Sequence, residues 1–206
     1  MKLAIFDFDS TLMDGETIDF LAKELGVKKE VSHITTKAMA GELDFFESLQ
    51  TRVKLLKGLD YKKVIEICSN LPIMNGAKDT IKELKKMDYK IVCFSGGFTT
   101  ATVPMCKKIG IDTQFANILH TKNDILTGCV GGYMMFNSSK GDMIQKLQNI
   151  LKISSMDTLV VGDGANDVSM FKYASKKVAF CANDILKDKA NIIIEKKDLR
   201  LILEKV

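Results

Sequence analysis

Five short runs of aliphatic, β-branched or aromatic residues, each bounded by turn formers, recur along the chain: Leu3–Phe8, Lys90–Phe94, Thr158–Val161, Lys177–Phe180 and Asn191–Ile194. Between the later runs lie stretches whose apolar residues repeat at helical spacing: Gly76–Met87, Thr99–Ile109 closed by Gly110, Gly141–Leu151 and Asp167–Ala174. Strands that alternate with helices are joined by crossovers of one hand, and such crossovers build a parallel sheet with helices on its faces. This alternation predicts an α/β fold, a Rossmann-like doubly wound parallel sheet.

The rhythm breaks once. Residues 16 to 71 hold four helix-like segments, Glu16–Leu25, Val27–Ala40, Glu42–Lys57 and Asp60–Asn70, with Gly26, Gly41 and Gly58 as stops. They predict a four-helix cap at residues 15–73, inserted into a core made of residues 1–14 and 74–206. The alternating, glycine-rich run at Asp124–Phe136 predicts a hairpin.

Several function classes drop out on composition. The apolar run Leu3–Phe6 is broken at once by Asp7 and Asp9, too early for a secretion signal, and no stretch is long enough to span a bilayer. The net charge of +4 is carried by scattered pairs such as Lys28-Lys29 and Lys107-Lys108 among acids, which suits solvated faces better than a nucleic-acid stripe. Five cysteines, an odd number with no CxxC, fit reduced thiols in the cytoplasm. The two histidines, His33 and His120, stand alone, so neither a zinc site nor a Ser-His-Asp triad is easily built. Any catalysis is therefore carboxylate chemistry.

Three of the predicted strands run into polar residues at the same relative place: FDFDST, FSGG and VGDGANDVSMF. Ligands bind beyond the carboxyl ends of strands in such sheets, so Asp7, Asp9, Ser95, Asp163 and Asp167 are expected in one crevice. Like charges ~4 Å apart repel by ~4 kcal/mol at a surface-like dielectric, so four carboxylates call for a cation. Oxygen donors alone point to Mg²⁺. Lys140, in SSKGD at the start of a predicted helix, can reach the same crevice, and Ser95 with the N–H groups of Gly96 and Gly97 forms an anion cradle.

The segments DFDST, SGGF, Lys140 and GDGAND resemble the four motifs of the haloacid dehalogenase superfamily, in the order and spacing of its phosphoserine phosphatases, and they extend over nearly the whole chain. The resemblance implies that Asp7 is the nucleophile, forming an aspartyl-phosphate, and that Asp9 is the general acid and base. It implies Mg²⁺ held by the Asp7 carboxylate, the Asp9 carbonyl and Asp163, with Asp167 behind them, and phosphoryl oxygens held by Ser95, Gly96 and Lys140.

The substrate lies with the cap. Glu16 opens its first helix, and Arg52 shares a helical face with Phe45, Leu49 and Leu56. An arginine suits a carboxylate and a glutamate suits an ammonium, which together describe an amino acid. Taken singly, Glu16 is an ordinary first-turn acid, Arg52 a snorkelling surface residue, Phe45, Phe46 and Leu49 core, and Ser95 and Asn166 turn or cap residues. Resemblance to the cap of phosphoserine phosphatases implies O-phospho-L-serine as substrate, at the last step of serine biosynthesis, with Met39, Phe45 and Asn166 also at the substrate. Another small phosphorylated amino acid or a sugar phosphate is the alternative. A signalling receiver shares the acids, lysine and metal, but the helical insertion argues against it. No nucleic-acid or membrane partner and no separate regulatory domain are expected, and the choice between monomer and dimer stays open.

Overall fold

The computed structural model describes residues 1–39 and 42–206, with Met39 described by its backbone alone. The stop expected at Gly41 lies outside the described residues. Among them, seven strands form one sheet: β1 (Lys2–Asp7), β2 (Tyr89–Phe98), β3 (Thr113–Lys122), β4 (Ile125–Gly132), β5 (Thr158–Gly162), β6 (Lys176–Phe180) and β7 (Ile192–Ile194). Their order is β4-β3-β2-β1-β5-β6-β7, parallel except for β4, which runs antiparallel to β3.

Strand β1 is central, and its alternate residues divide between two cores. Leu3 and Ile5 pack with Val92, Phe94, Val160 and Ile144, whereas Ala4 and Phe6 pack with Ile91, Cys93 and Val161. Burial on both faces explains why this strand reads as an unbroken apolar run. The first face is covered by α7 (Ser139–Leu151), α8 (Val168–Phe171) and α9 (Asp184–Lys187), and the second by α5 (Ala77–Lys86) and α6 (Thr99–Ile109). Helix α6 ends where expected, with Gly110 at φ +86, a conformation in which a Cβ is strained.

Between β1 and α5 lie four helices, α1 (Thr17–Glu24), α2 (Lys28–Met39), α3 (Phe45–Lys54) and α4 (Tyr61–Ser69). Their apolar faces, through Leu21, Val31, Val53 and Val64, continue the core beneath Ala4 and Phe6. Helix α3 starts three residues later than Glu42 because Asp44 caps it, accepting a hydrogen bond from the Phe46 N–H at 2.8 Å. The two connections to the sheet run side by side: Met13 bridges Ile73, and the Met74 N–H donates to the Leu12 carbonyl at 2.9 Å. A second attachment joins the α3–α4 turn to β4, with Gly58 N–H donating to the Leu126 carbonyl at 3.0 Å and Leu126 N–H to the Leu59 carbonyl at 2.9 Å.

The hairpin differs from the expectation. Its turn is at Asn123 and Asp124, both left-handed, and its first strand is Thr113–Lys122, upstream of the Asp124–Phe136 run. The sequence TQFANILHTK has neither clean alternation nor a continuous apolar run, because this strand is only partly covered and borrows its order from β2 and β4.

Candidate functional site

Strand β1 lies between β2 and β5, all three parallel, so their carboxyl ends stand together. Asp7 ends β1 opposite Phe94, Ser95–Gly97 follow on β2, and β5 leads into Asp163. Asp7, Gly96, Gly97 and Asp163 border a cavity of about 910 Å³, whereas Ser95 is wholly buried and is not among its lining residues. Asp7, Asp9, Gly96, Asp163 and Asn166 line its sheet side, and Glu16, Phe45 and Arg52 line its helical side.

At the floor, Lys140, the second residue of α7, places Nζ 2.5 Å from Asp7 Oδ1 and 2.5 Å from Asp167 Oδ1. All three side chains are buried, and the second Asp167 oxygen accepts from the N–H groups of Asp163 and Gly164, each at 3.0 Å. Burial works against the lysine charge, but the two carboxylates outweigh it and Lys140 stays firmly cationic. Asp7 is pushed up to about 7, first by burial and then by Asp167, with Lys140 pulling the other way. Asp163 is raised well above the usual carboxylate range by burial, Asp7 and Asp167.

One carboxylate oxygen from each of Asp7, Asp163 and Asp167 lies within 4.8 Å of the others. Three hard oxygens so close together, with one ammonium paired to only two of the acids and two of the acids resisting ionisation, fit a divalent cation of the oxygen-preferring kind.

Asp9 points elsewhere. Its Oδ1 accepts from the Thr17 N–H at 2.7 Å and the Thr17 hydroxyl at 2.6 Å, at the start of α1. Loss of solvent raises its pKa, and the Thr17 hydrogen bonds oppose that rise. Sequence reasoning missed Thr17, whose only local signal is a hydroxyl in the first turn of a helix.

The cradle at Ser95 is partly closed on itself, since the Gly97 N–H donates to Ser95 Oγ at 2.9 Å. A Cβ on Gly97 would come within 2.7 Å of Asp9 Oδ2, and one on Gly96 within 2.8 Å of the Phe45 ring, so both positions need glycine for close approach. Buried Asn117, also missed, donates to the carbonyls of Gly96 and Met134 at 3.0 Å each, tying the cradle to the segment after β4.

On the helical side, Glu16 occupies the N-cap position of α1 without a capping bond from its side chain, which accepts instead from the Ser10 hydroxyl at 2.8 Å. It is pushed up to about 8 by loss of solvent, then by Asp9. Arg52 is lowered by burial, with Glu16 and Asp9 opposing. The side chain of Met39, expected beside them, lies outside the described residues.

The family model for haloacid dehalogenase-like hydrolases matches residues 1–175. The chain belongs to this family. A relative from Wolinella succinogenes named phosphoserine phosphatase is 62% identical over 203 residues, covering 98% of each chain. One of the same name from Methanocaldococcus jannaschii is 50% identical over 203 residues, covering 98% of this chain and 96% of its own. Among solved structures, a phospho-aspartyl intermediate analogue of phosphoserine phosphatase superposes with a TM-score of 0.96 at 49% identity, covering 100% of this chain and 98% of that one. A substrate-bound phosphoserine phosphatase superposes with a TM-score of 0.95 at 49% identity and the same coverage. The family's sheet with helices on both faces is the architecture found here, and no helix among the described residues is long and apolar enough to cross a membrane.

Proposed function

We propose that the chain is a phosphoserine phosphatase, hydrolysing O-phospho-L-serine to L-serine and phosphate. The observation that carries the reading is that Glu16 and Arg52, suited to an ammonium and a carboxylate, line the same cavity as Asp7 and Asp9. The relatives named above support it.

In this reading residues 1–14 and 74–206 are the catalytic core and 15–73 the cap that selects substrate. Asp7 attacks phosphorus through a carboxylate oxygen, and the bond to the serine oxygen breaks. Protonated Asp9 gives its proton to the departing alkoxide. Asp9, now a carboxylate, takes a proton from water as that water attacks phosphorus, which releases phosphate and frees Asp7. Burial raises the pKa of Asp9 against its Thr17 hydrogen bonds, the direction that a role as acid requires. Ser95, Gly96 and Lys140 hold the phosphoryl oxygens, Lys140 using the N–H that it does not give to Asp7 or Asp167.

Mg²⁺ would be held by Asp7, Asp163 and the Asp9 carbonyl, with Asp167 behind them. Bound there, it supplies positive charge against the phosphoryl oxygens and the acidic cluster. Glu16 and Arg52 take the two ends of the amino acid, and Met39, Phe45 and Asn166 complete its surroundings. A cytoplasmic enzyme at the serine-forming step completes the proposal, and the five cysteines, all free thiols, agree with a reducing compartment.

Phosphate release from L-phosphoserine and from a panel of sugar phosphates, with Mg²⁺ or EDTA and with Asp7→Asn as the blank, tests it. Metal-dependent turnover that favours phosphoserine by orders of magnitude is expected. Equal turnover across the panel would leave the Asp7 chemistry standing and overturn the reading of the cap.

A further inference from the structure

We propose that Thr35, on α2, is a positioning residue that holds the Arg52 guanidinium ready for a substrate carboxylate. The inference rests on Arg52 as the carboxylate partner. Both residues line the cavity, on different helices. Arg52 Nε donates to the Ser48 carbonyl one turn back on its own helix at 3.2 Å, and Nη1 donates to Thr35 Oγ1 at 3.4 Å. The Thr35 hydroxyl proton is directed to the Val31 carbonyl at 3.1 Å, so the oxygen meets the guanidinium with its lone pairs. Its role as an acceptor is thereby set by the turn of helix behind it.

Among the described residues Arg52 forms no ion pair. Of its five N–H donors, one goes to Ser48 and one to Thr35, leaving three, including both on Nη2, for a ligand. A carboxylate binds such a fork through two parallel hydrogen bonds, which requires the guanidinium plane to be set beforehand. The helical bond to Ser48 fixes the stem, and Thr35 fixes rotation of the plane. Ordering an arginine when the ligand arrives weakens binding, so a neutral acceptor that orders it in advance, without competing as a carboxylate would, serves recognition. The adjacent Ser48 hydroxyl, buried and without a partner among the described residues, contributes nothing to this, and only its carbonyl is used.

Thr35→Val keeps the shape and deletes the acceptor. It is expected to raise KM for phosphoserine about fivefold, the scale of one hydrogen bond, with kcat changed by less than about twofold. KM for p-nitrophenyl phosphate, which has no carboxylate, should not rise with it, and Thr35→Ser, which restores the oxygen, should recover most of the loss. In an Arg52→Ala background Thr35→Val should add nothing further. Equal KM increases for both substrates, an unchanged phosphoserine KM, or full additivity with Arg52→Ala would each overturn the proposal. If Arg52→Ala alone affects both substrates alike, the carboxylate reading of Arg52 fails and takes this inference with it. A selective Arg52→Ala beside a neutral Thr35→Val overturns the role of Thr35 alone.

Discussion

On the sheet side of the cavity, Asp7, Lys140 and Asp167 are 5%, 3% and 0% exposed, Lys140 donates to both acids at 2.5 Å, and Asp167 also accepts from the Asp163 and Gly164 N–H groups at 3.0 Å. On the helical side, half-buried Arg52 is held by contacts of 3.2 and 3.4 Å. The first wall is set by three strand ends locked in a backbone ladder and by a helix packed under them. The second rests on helices whose own cores secure them but whose polar tips meet one hydroxyl at a time. Bond making needs groups fixed to a fraction of an ångström, whereas recognition tolerates adjustment as the ligand arrives. Thr17 joins the two walls, since it belongs to the first inserted helix and yet holds Asp9.

The two walls should differ most at Asp7. Asp7→Asn keeps an acceptor for Lys140 and should preserve the fold, yet lower turnover of every phosphomonoester by about three orders of magnitude or more. Activity within tenfold of the parent would remove the nucleophile from the scheme. In kcat/KM, which reports the half-reaction that expels the leaving group, Asp9→Asn should cost roughly 10²- to 10⁴-fold on phosphoserine and clearly less on p-nitrophenyl phosphate, whose leaving group needs no proton. Equal losses would show that Asp9 is not the acid.

A milder effect sharpens the electrostatic contrast. Asp7 and Glu16 have folded-state pKa values raised to about 7 and about 8, from ordinary values of 3.8 and 4.5. A raised pKa means that the folded protein holds protons the unfolded chain has lost. Their stabilisation is thus complete below about pH 4 and is lost as pH rises through about 7 to 8. A divalent cation favours the ionised forms, so Mg²⁺ should raise the melting temperature by several degrees more at pH 8 than at pH 5.5, against EDTA controls. A shift of equal size at both pH values would place the cation away from Asp7.

The smallest expected effect concerns the rim. Phe46 of α3 stacks on the exposed Phe136 beyond β4, with centroids 5.1 Å apart and planes at 19°. Phe136→Ala should lower stability to urea by about 1 kcal/mol, the scale of one aromatic pair. A loss several times larger would mean that the helical wall leans on this contact more than on its buried core.

The strand–helix alternation, the long helical interruption and the polar ends of β1, β2 and β5 were legible in the chain, because each is a pattern within a few residues. The same holds for Gly110, which ends α6 by its own backbone preference. Strand β3 was not legible, since Thr113–Lys122 gains its conformation from neighbours on both sides. Nor were Thr17, Asn117 and Thr35, ordinary residues in their local settings.

The sequence by itself determined which groups can do chemistry, acids of fixed type in motifs of fixed spacing, and that they would gather at one edge of a parallel sheet. Only the tertiary structure decided that Lys140 pairs with Asp7, 133 residues away, and with Asp167, 27 away. It also decided that Asp9 turns to Thr17, and that Arg52 meets Thr35 rather than an acid. Local periodicity carries information over a few turns of chain, whereas these partnerships depend on how separately formed helices and strands pack, and on which charges that packing removes from water.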